Sequence, residues 1–244
     1  MKKKIFIGFA ILLLVITAVI GSLLFVGYSE YREVTSARPL KEYVSEIRDN
    51  ATYIKIDDIS QDYLDAVVAI EDKRFYEHNG VDYKSLIRVI YTAGILQDYT
   101  GGGSTITQQL AKNMYFSYEP NFKRKLAELF VASSLESNYS KKEILELYVN
   151  IINMGDNNMG IKLASNNYFN KQPKNLDLYE SCIIASIPQL PAYFQLSNNN
   201  YKTYYRAIDV LIIMKETNKI TDKEYDVTLE KLESKIEEIK KSTE

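Results

Sequence analysis

The chain has 244 residues, 46% of them hydrophobic and 25% charged, which is typical of a globular domain. The chain has 30 Lys and Arg residues and 32 Asp and Glu residues, and this balance argues against a general nucleic-acid binder. Cys182 is the only cysteine and His78 the only histidine, which excludes an internal disulfide and a Cys/His zinc cluster. Cys182 lies in the apolar run SCIIASI and is predicted to be a buried small hydrophobe.

The N-terminal segment is apolar over a long stretch. Residues Ile5 to Gly27 carry no charge, and a helix of that length exceeds the roughly 30 Å hydrocarbon core of a bilayer. Three lysines precede it, so residues 1–27 are predicted to be a membrane anchor with a cytoplasmic N-terminus and the rest of the chain outside. A cleaved signal peptide is the alternative, although no Ala-x-Ala-like site follows the apolar run.

The remaining chain is predicted to be mainly helical. Residues 28–50 are predicted to be a polar stalk, and residues 51–244 an extracytoplasmic domain. The segment DYLDAVVAIED has helical apolar spacing, and SKKEILELYVN and TDKEY each begin with the residues of a capping box. The last stretch, Leu229 to Ile239, is predicted to be an amphipathic helix, and no long strand pattern occurs. These patterns predict an all-α fold.

Glu71 is the first candidate for chemistry. It follows Leu64 by seven residues and Val67 by four, so it lies on the apolar face of its predicted helix. Desolvation there raises a carboxyl pKa and makes it a proton acceptor near neutral pH. The alternative is a boundary glutamate paired with Lys73 or Arg74.

Glu128 repeats this pattern, because Val131, Ala132 and Leu135 follow it at helical offsets. Arg124 and Lys125 lie one turn earlier on the same side, which predicts a charge-paired, partly buried glutamate. Taken alone, that pattern favours a structural ion pair.

The stretch GGGSTITQQLAKN, Gly101 to Asn113, predicts a glycine turn followed by a capped helix. Thr105 and Gln108 fit a capping box, and the free N–H groups of a helix start favour an anion, with Lys112 adding a full charge. No Gly-Lys-Ser/Thr follows at P-loop spacing. A surface loop with a well-capped helix explains the stretch equally well.

Together these motifs resemble a known family. EDKRFYEHNG, GGSTITQQLAKN, RKLAE and KKEILELYVN, with RAIDVLIIM downstream, are similar to the motifs of the peptidoglycan glycosyltransferases. This family comprises monofunctional transglycosylases and the glycosyltransferase module of class A penicillin-binding proteins. The resemblance covers roughly residues 56–214. Because the chain ends at Glu244 without a transpeptidase module, the monofunctional, membrane-anchored type is expected.

The resemblance implies a lysozyme-like, two-lobed helical fold with a small membrane-associated jaw, and the polymerisation of lipid II. It implies that the growing glycan on undecaprenyl pyrophosphate is the donor and that lipid II is the acceptor. Glu71 matches the general base acting on the acceptor 4-hydroxyl, with inversion at the anomeric carbon. Glu128 matches the glutamate thought to orient the donor or help at the leaving pyrophosphate.

The resemblance also implies the substrate-binding residues. Thr105, Gln109 and Lys112 match functional positions of the pyrophosphate cradle. The other matches are Asp72, Arg88, Ser104, Gln108, Asn113 and Arg124. His78 belongs to the first motif, where a structural hydrogen bond is favoured over proton transfer.

The sequence departs from the family pattern at three places, and it also suggests what the protein contacts. Pro120 replaces an arginine common in the family, Asn170 stands where glycine is common, and NIINMG lacks an aromatic residue before its glycine. The apolar stretches SLIRVIYTAGIL and MYFSY are predicted to contact the membrane, and cell-wall synthesis proteins are candidate partners. No cofactor is required by the sequence, although family analogy allows Mg²⁺ or Mn²⁺ at the pyrophosphate. Outside this family, a lysozyme-like wall hydrolase and a catalytically silent membrane-anchored scaffold are the alternatives.

Overall fold

The computed structural model describes residues 2–85, 87, 103–116 and 121–243, and this part of the chain is built from α-helices. No strand occurs in it, only an isolated bridge between Asn153 and Met159. The all-α prediction is therefore confirmed. The helices with described bounds are α1 (Lys2–Ala37), α2 (Leu40–Arg48), α3 (Gln61–Glu71), α4 (Ile106–Tyr115), α5 (Phe122–Asn138), α6 (Lys141–Ile151), α7 (Ile161–Phe169), α8 (Leu178–Ser186), α9 (Pro191–Phe194), α10 (Tyr201–Glu216) and α11 (Asp222–Thr243).

Helix α8 occupies the centre of the domain. It packs against α3, α10 and α11, and its residues Cys182, Ile183 and Ile184 are buried. A helix enclosed on several sides needs apolar residues around its whole circumference, which explains the run SCIIASI. The prediction of a buried Cys182 is confirmed, and burial raises the pKa of its thiol.

Capping boxes begin three of the helices in the predicted places. The Thr105 hydroxyl accepts from the Gln108 N–H at the start of α4, and Ser140 and Glu143 form the same arrangement at α6. At α11, the Thr221 N–H donates to Glu224 and the Glu224 N–H donates back to the Thr221 hydroxyl. Each box satisfies N–H groups that a helix start otherwise leaves without partners.

Helix α1 runs without interruption from the apolar segment into the domain. Its apolar part is exposed, and it is long and apolar enough to cross a membrane, which supports the predicted anchor. The end of α1 packs along α5, where Tyr28 meets Phe130 edge-on with ring centroids 5.6 Å apart. Gly27, at this contact, is buried.

The segment predicted as a stalk is largely helical. Helix α2 packs against α6, and its Val44 and Ile47 belong to the hydrophobic core. The domain boundaries at residues 27 and 50 stay predictions. The stretch SLIRVIYTAGIL, predicted to contact the membrane, falls largely outside the described residues. In MYFSY, Met114 is buried in the core, and Tyr115 and Phe116 pack partly buried against it, so these three residues do not form the predicted membrane surface.

One departure from the family pattern has a structural explanation. Asn170 ends α7 in the left-handed region, with a φ of 51°, and its N–H donates to the carbonyl of Asn166 at 2.8 Å. Glycine adopts this conformation without strain, and asparagine tolerates it better than most other residues. Asn170 therefore preserves the turn. Pro120 lies outside the described residues.

Candidate active site

A cleft of about 410 Å³ opens where the C-terminal end of α3 meets α4, α5 and α10. Its wall contains eight residues that the sequence analysis selected. They are Glu71, Asp72, Ser104, Thr105, Gln108, Gln109, Lys112 and Glu128. Stretches far apart in sequence are thus assembled around one cavity, as a catalytic site requires.

Glu71 is the last residue of α3 and is partly exposed at the cleft. Its Oε2 atom accepts a hydrogen bond from the Gln109 amide nitrogen at 2.7 Å. Its Oε1 atom is buried and has no hydrogen-bond partner among the described residues. Burial raises the pKa of the Glu71 carboxyl, opposed by the Gln109 hydrogen bond and by the charges of Arg206 and Lys112. These properties suit a base.

The other acidic residues of the cleft wall each have a basic partner. Glu128, only 1% exposed, pairs with Arg124 Nε at 3.0 Å and Lys125 Nζ at 2.8 Å. The predicted ion pair is therefore present, and it lies at the cleft.

The remaining two carboxylates are paired in the same way. Asp82 Oδ2 lies 2.7 Å from the Arg74 guanidinium, so Arg74 pairs there rather than with Glu71. Asp72 lies 3.0 Å from His78 Nε2, and also accepts the N–H of Ile106 at 3.0 Å. His78 thus makes the structural contact that the sequence analysis favoured.

The start of α4 differs from the anion cradle expected from the sequence. The N–H groups of Thr105, Ile106 and Gln108 all donate to side chains of the chain itself. The Thr105 hydroxyl in turn donates to the carbonyl of Gly80 at 2.6 Å. Three backbone donors at this helix start are therefore already used within the chain. The roles of Thr105 and Gln108 in substrate binding stay predictions.

Basic side chains supply charge at the cleft wall. Lys112 is half-buried, and burial lowers its pKa while the nearby Glu128 charge raises it. Arg206 of α10 reaches the wall and donates from Nε to the carbonyl of Ser186 at 3.0 Å. Lys125 donates to the Ser104 hydroxyl at 2.9 Å, which links α5 to the start of α4.

Some predicted residues lie elsewhere, and several wall residues, including two cations, were not predicted. Asn113 and Arg124 are not among the lining residues, although Arg124 contacts the wall residue Glu128. Arg88 lies outside the described residues. Lys125 and Arg206 were not predicted from the sequence to be site residues. Both stand in motifs it quoted, RKLAE and RAIDVLIIM, which were the available signal.

Comparisons with known proteins agree with these motifs. A family model described as Transglycosylase matches residues 38–215. Penicillin-binding protein 1F of Bacillus subtilis is 37% identical over 91% of this chain and 33% of its own length. The monofunctional glycosyltransferase of Staphylococcus haemolyticus is 34% identical over 95% of this chain and 85% of its own length. That of Staphylococcus aureus is 32% identical over 86% of this chain and 79% of its own length.

The chain spans about a third of penicillin-binding protein 1F and a quarter of penicillin-binding protein 1A of Clostridium botulinum. It spans most of the monofunctional relatives. Because the family model covers most of the chain and includes every described residue of the cleft wall, the chain belongs to the transglycosylase family, the peptidoglycan glycosyltransferases.

Proposed function

We propose that this chain polymerises lipid II into the glycan strands of peptidoglycan, with Glu71 as the general base. One observation carries the assignment of the base. Among the described residues of the cleft wall, Glu71 is the carboxylate held by a neutral amide, whereas Asp72, Asp82 and Glu128 each have a basic partner. A carboxylate that is desolvated and not paired with a cation keeps a raised pKa and can accept a proton.

The proposed reaction is the one that the family resemblance implies, with Glu71 as its base. The Glu71 carboxylate takes the proton of the acceptor 4-hydroxyl as that oxygen forms a bond to the donor's anomeric carbon. The bond from this carbon to the phosphate oxygen breaks, and its electron pair leaves on undecaprenyl pyrophosphate. Attack opposite the leaving group changes the linkage from α to β.

Basic residues stabilise the leaving group in this proposal. A departing pyrophosphate carries about two negative charges, and charged donors aimed at it lower the barrier. Lys112 and Arg206 line the cleft and supply such donors. Glu128 holds Lys125 and Arg124 by its two ion pairs, so its role is to orient cations at the donor.

The described residues do not fit a resident metal ion. Asp72 and Glu128 are engaged with His78 and with two cations, and no group of three or more His, Cys, Asp or Glu side chains in this part of the chain is placed to hold a metal. Mg²⁺ or Mn²⁺ would instead bind through the phosphate oxygens of the substrate. Binding of Mn²⁺ measured with the chain alone and with the chain plus lipid II tests this point, because a resident site would bind the ion without substrate.

Location and partners complete the proposal. Helix α1 anchors the chain, and the lysines before its apolar part favour a cytoplasmic N-terminus and a cleft on the outer face. That side is where a lipid-linked substrate and other cell-wall synthesis proteins would meet the domain. Labelling of single introduced cysteines from outside intact cells tests the orientation.

The experiment that tests the activity is incubation of the purified chain with labelled lipid II and separation of the products by size. Wild type should yield polymer, and Glu71→Gln should lose about 10² to 10⁴ in rate. Glu216→Gln, at an exposed carboxylate of α10, is the matched control and should retain the rate. Polymer formed at the wild-type rate by folded Glu71→Gln would reject Glu71 as the base. Shortening of preformed glycan instead of polymer growth would indicate the hydrolase.

A further inference from the structure

A buried tyrosine is connected to the candidate base through one intervening side chain. Tyr148 of α6 is fully buried, and its hydroxyl donates to the Gln109 side-chain carbonyl at 3.1 Å. The amide nitrogen of Gln109 donates in turn to Glu71 Oε2 at 2.7 Å. The three side chains come from α6, α4 and α3, and they form a continuous line of hydrogen bonds that ends on the carboxylate.

The chemistry of the groups fixes the direction of this line. An ionised carboxylate only accepts hydrogen bonds, so Gln109 must present its amide nitrogen to Glu71. Its carbonyl oxygen then faces Tyr148, where a phenol hydroxyl supplies the proton. A reversed amide would place its oxygen against the Glu71 carboxylate, and two acceptors would face each other in a buried place.

The line also distinguishes the two oxygens of Glu71. The hydrogen bond from Gln109 occupies Oε2, while Oε1 has no partner in the described part of the chain. We propose that Tyr148 is a positioning residue, which holds Gln109 and, through it, keeps the Glu71 carboxylate in one orientation at the cleft. This inference rests on the proposed function of Glu71 as the base.

Loss of the Tyr148 hydroxyl should change the protonation of Glu71 in a known direction. The Gln109 hydrogen bond lowers the pKa of the Glu71 carboxyl, because it stabilises the ionised form. Without Tyr148 the amide is less firmly oriented, so this stabilisation weakens and the pKa rises. The charged groups near Glu71 are Lys112 of α4, Arg206 of α10 and Asp72. A further titratable group, the neutral phenol of Tyr63, lies on α3 itself. None of them is altered by Tyr148→Phe.

The test is the pH dependence of lipid II polymerisation by the full-length chain in detergent. In Tyr148→Phe the acidic limb of the rate profile should move upward by about half to one pH unit. The rate should fall about three- to tenfold below the limb and recover above it. Tyr168→Phe, which removes the hydroxyl that donates to the Met154 carbonyl at 2.8 Å, is the control and should leave the limb in place.

A second variant keeps the test decisive if Tyr148→Phe does not fold. Gln109→Leu removes the contact to Glu71 directly and should shift the limb in the same direction by at least as much. Adding Tyr148→Phe to it should cause no further shift, because the two residues act through one bond. An unmoved limb in either folded single variant overturns the inference.

Failure of the inference is distinguishable from failure of the proposed function. If Glu71→Gln is inactive while Tyr148→Phe keeps the wild-type profile, only the role of Tyr148 is rejected. If Tyr148→Phe loses rate equally at every pH, together with a lower melting temperature, its role is structural and the inference is also rejected. If folded Glu71→Gln polymerises lipid II at the wild-type rate, the base assignment fails, and the inference with it.

Discussion

Gly27 of α1 lies directly against Leu126 of α5, so closely that a Cβ atom at residue 27 would lie 2.6 Å from the Leu126 Cβ. The same added atom would lie 3.2 Å from the Phe130 ring. Helix α5 also carries Glu128 and the two cations paired with it. The missing side chain at residue 27 therefore sets how closely the anchor approaches a wall of the cleft.

Gly27→Ala should consequently destabilise the full-length chain. The backbones of α1 and α5 must separate, and overpacking of this kind costs about 1–3 kcal/mol. Gly21→Ala is the matched control, because nothing lies within 4 Å of an added Cβ there. Melting curves in detergent compare the two variants. Equal melting temperatures for Gly27→Ala and wild type would show that α1 does not pack on α5 as described.

The Thr105 cap gives a prediction about stability. Its hydroxyl accepts the Gln108 N–H and donates to Gly80, and the residue is buried. Thr105→Ala should lose about 1–2 kcal/mol of the free energy of unfolding, whereas Thr105→Ser should retain most of it. Thr221→Ala, which removes the exposed cap of α11, should lose less. Chemical denaturation measures all three. A smaller loss at Thr105 than at Thr221 would contradict the buried cap.

Capping boxes could be predicted from the sequence because both partners lie within one helical turn. The inward position of Glu71 could be predicted for the same reason, since helical periodicity relates it to Val67 and Leu64. The contact between Tyr148 and Gln109 could not, because it joins residues 39 positions apart and depends on how α6 packs against α4.

Asp72 illustrates the same limit at the candidate site. Its carboxylate accepts the Ile106 N–H and contacts His78, which the sequence did not predict, while its role in substrate binding stays a prediction. A carboxylate is stabilised near the start of a helix, but tertiary packing determines which carboxylate lies there. The close approach of Gly27 to Leu126 likewise reflects helix packing that no local pattern encodes.

The raised pKa of Glu71 leads to a prediction about stability against pH. A carboxyl whose pKa is higher in the folded than in the unfolded state, where it is about 4.3, binds its proton more tightly when folded. Stability from this group is therefore full below about pH 4.3 and is lost as pH rises through the folded pKa. Glu71→Gln removes the penalty of a buried charge.

At neutral pH the Glu71→Gln variant should melt at or above the wild-type temperature, although it is inactive. The difference should disappear below about pH 4.3, where both side chains are uncharged. Melting temperatures across this range check the prediction, with Glu216→Gln as the control for an exposed carboxylate. A Glu71→Gln protein that is less stable at pH 7 than at pH 4, relative to wild type, would show that ionised Glu71 stabilises the fold.

Lys112 separates the two interpretations of GGGSTITQQLAKN, a substrate cradle and an ordinary capped turn. The lysine lies on α4 beyond the cap and lines the cleft, half-buried. Burial lowers its pKa, opposed in part by the Glu128 charge. A cation at this place stabilises a leaving pyrophosphate only as negative charge develops. Lys112→Ala should therefore lower the polymerisation rate about a hundredfold, the equivalent of roughly 3 kcal/mol at the transition state. Its melting temperature should change little, because partly exposed ion pairs contribute only about 0–1 kcal/mol.

Lys112→Arg should rescue the rate only in part, since a planar guanidinium does not reproduce a compact ammonium at the same reach. Lys162→Ala, which removes a partly exposed lysine that donates to the Ala51 carbonyl, is the control for loss of a single positive charge and should leave the rate unchanged. A melting curve and a lipid II polymerisation rate are measured for each variant. A Lys112→Ala protein that is destabilised yet fully active would assign the lysine to the fold, and leaving-group stabilisation would then have to come from Arg206 or Lys125.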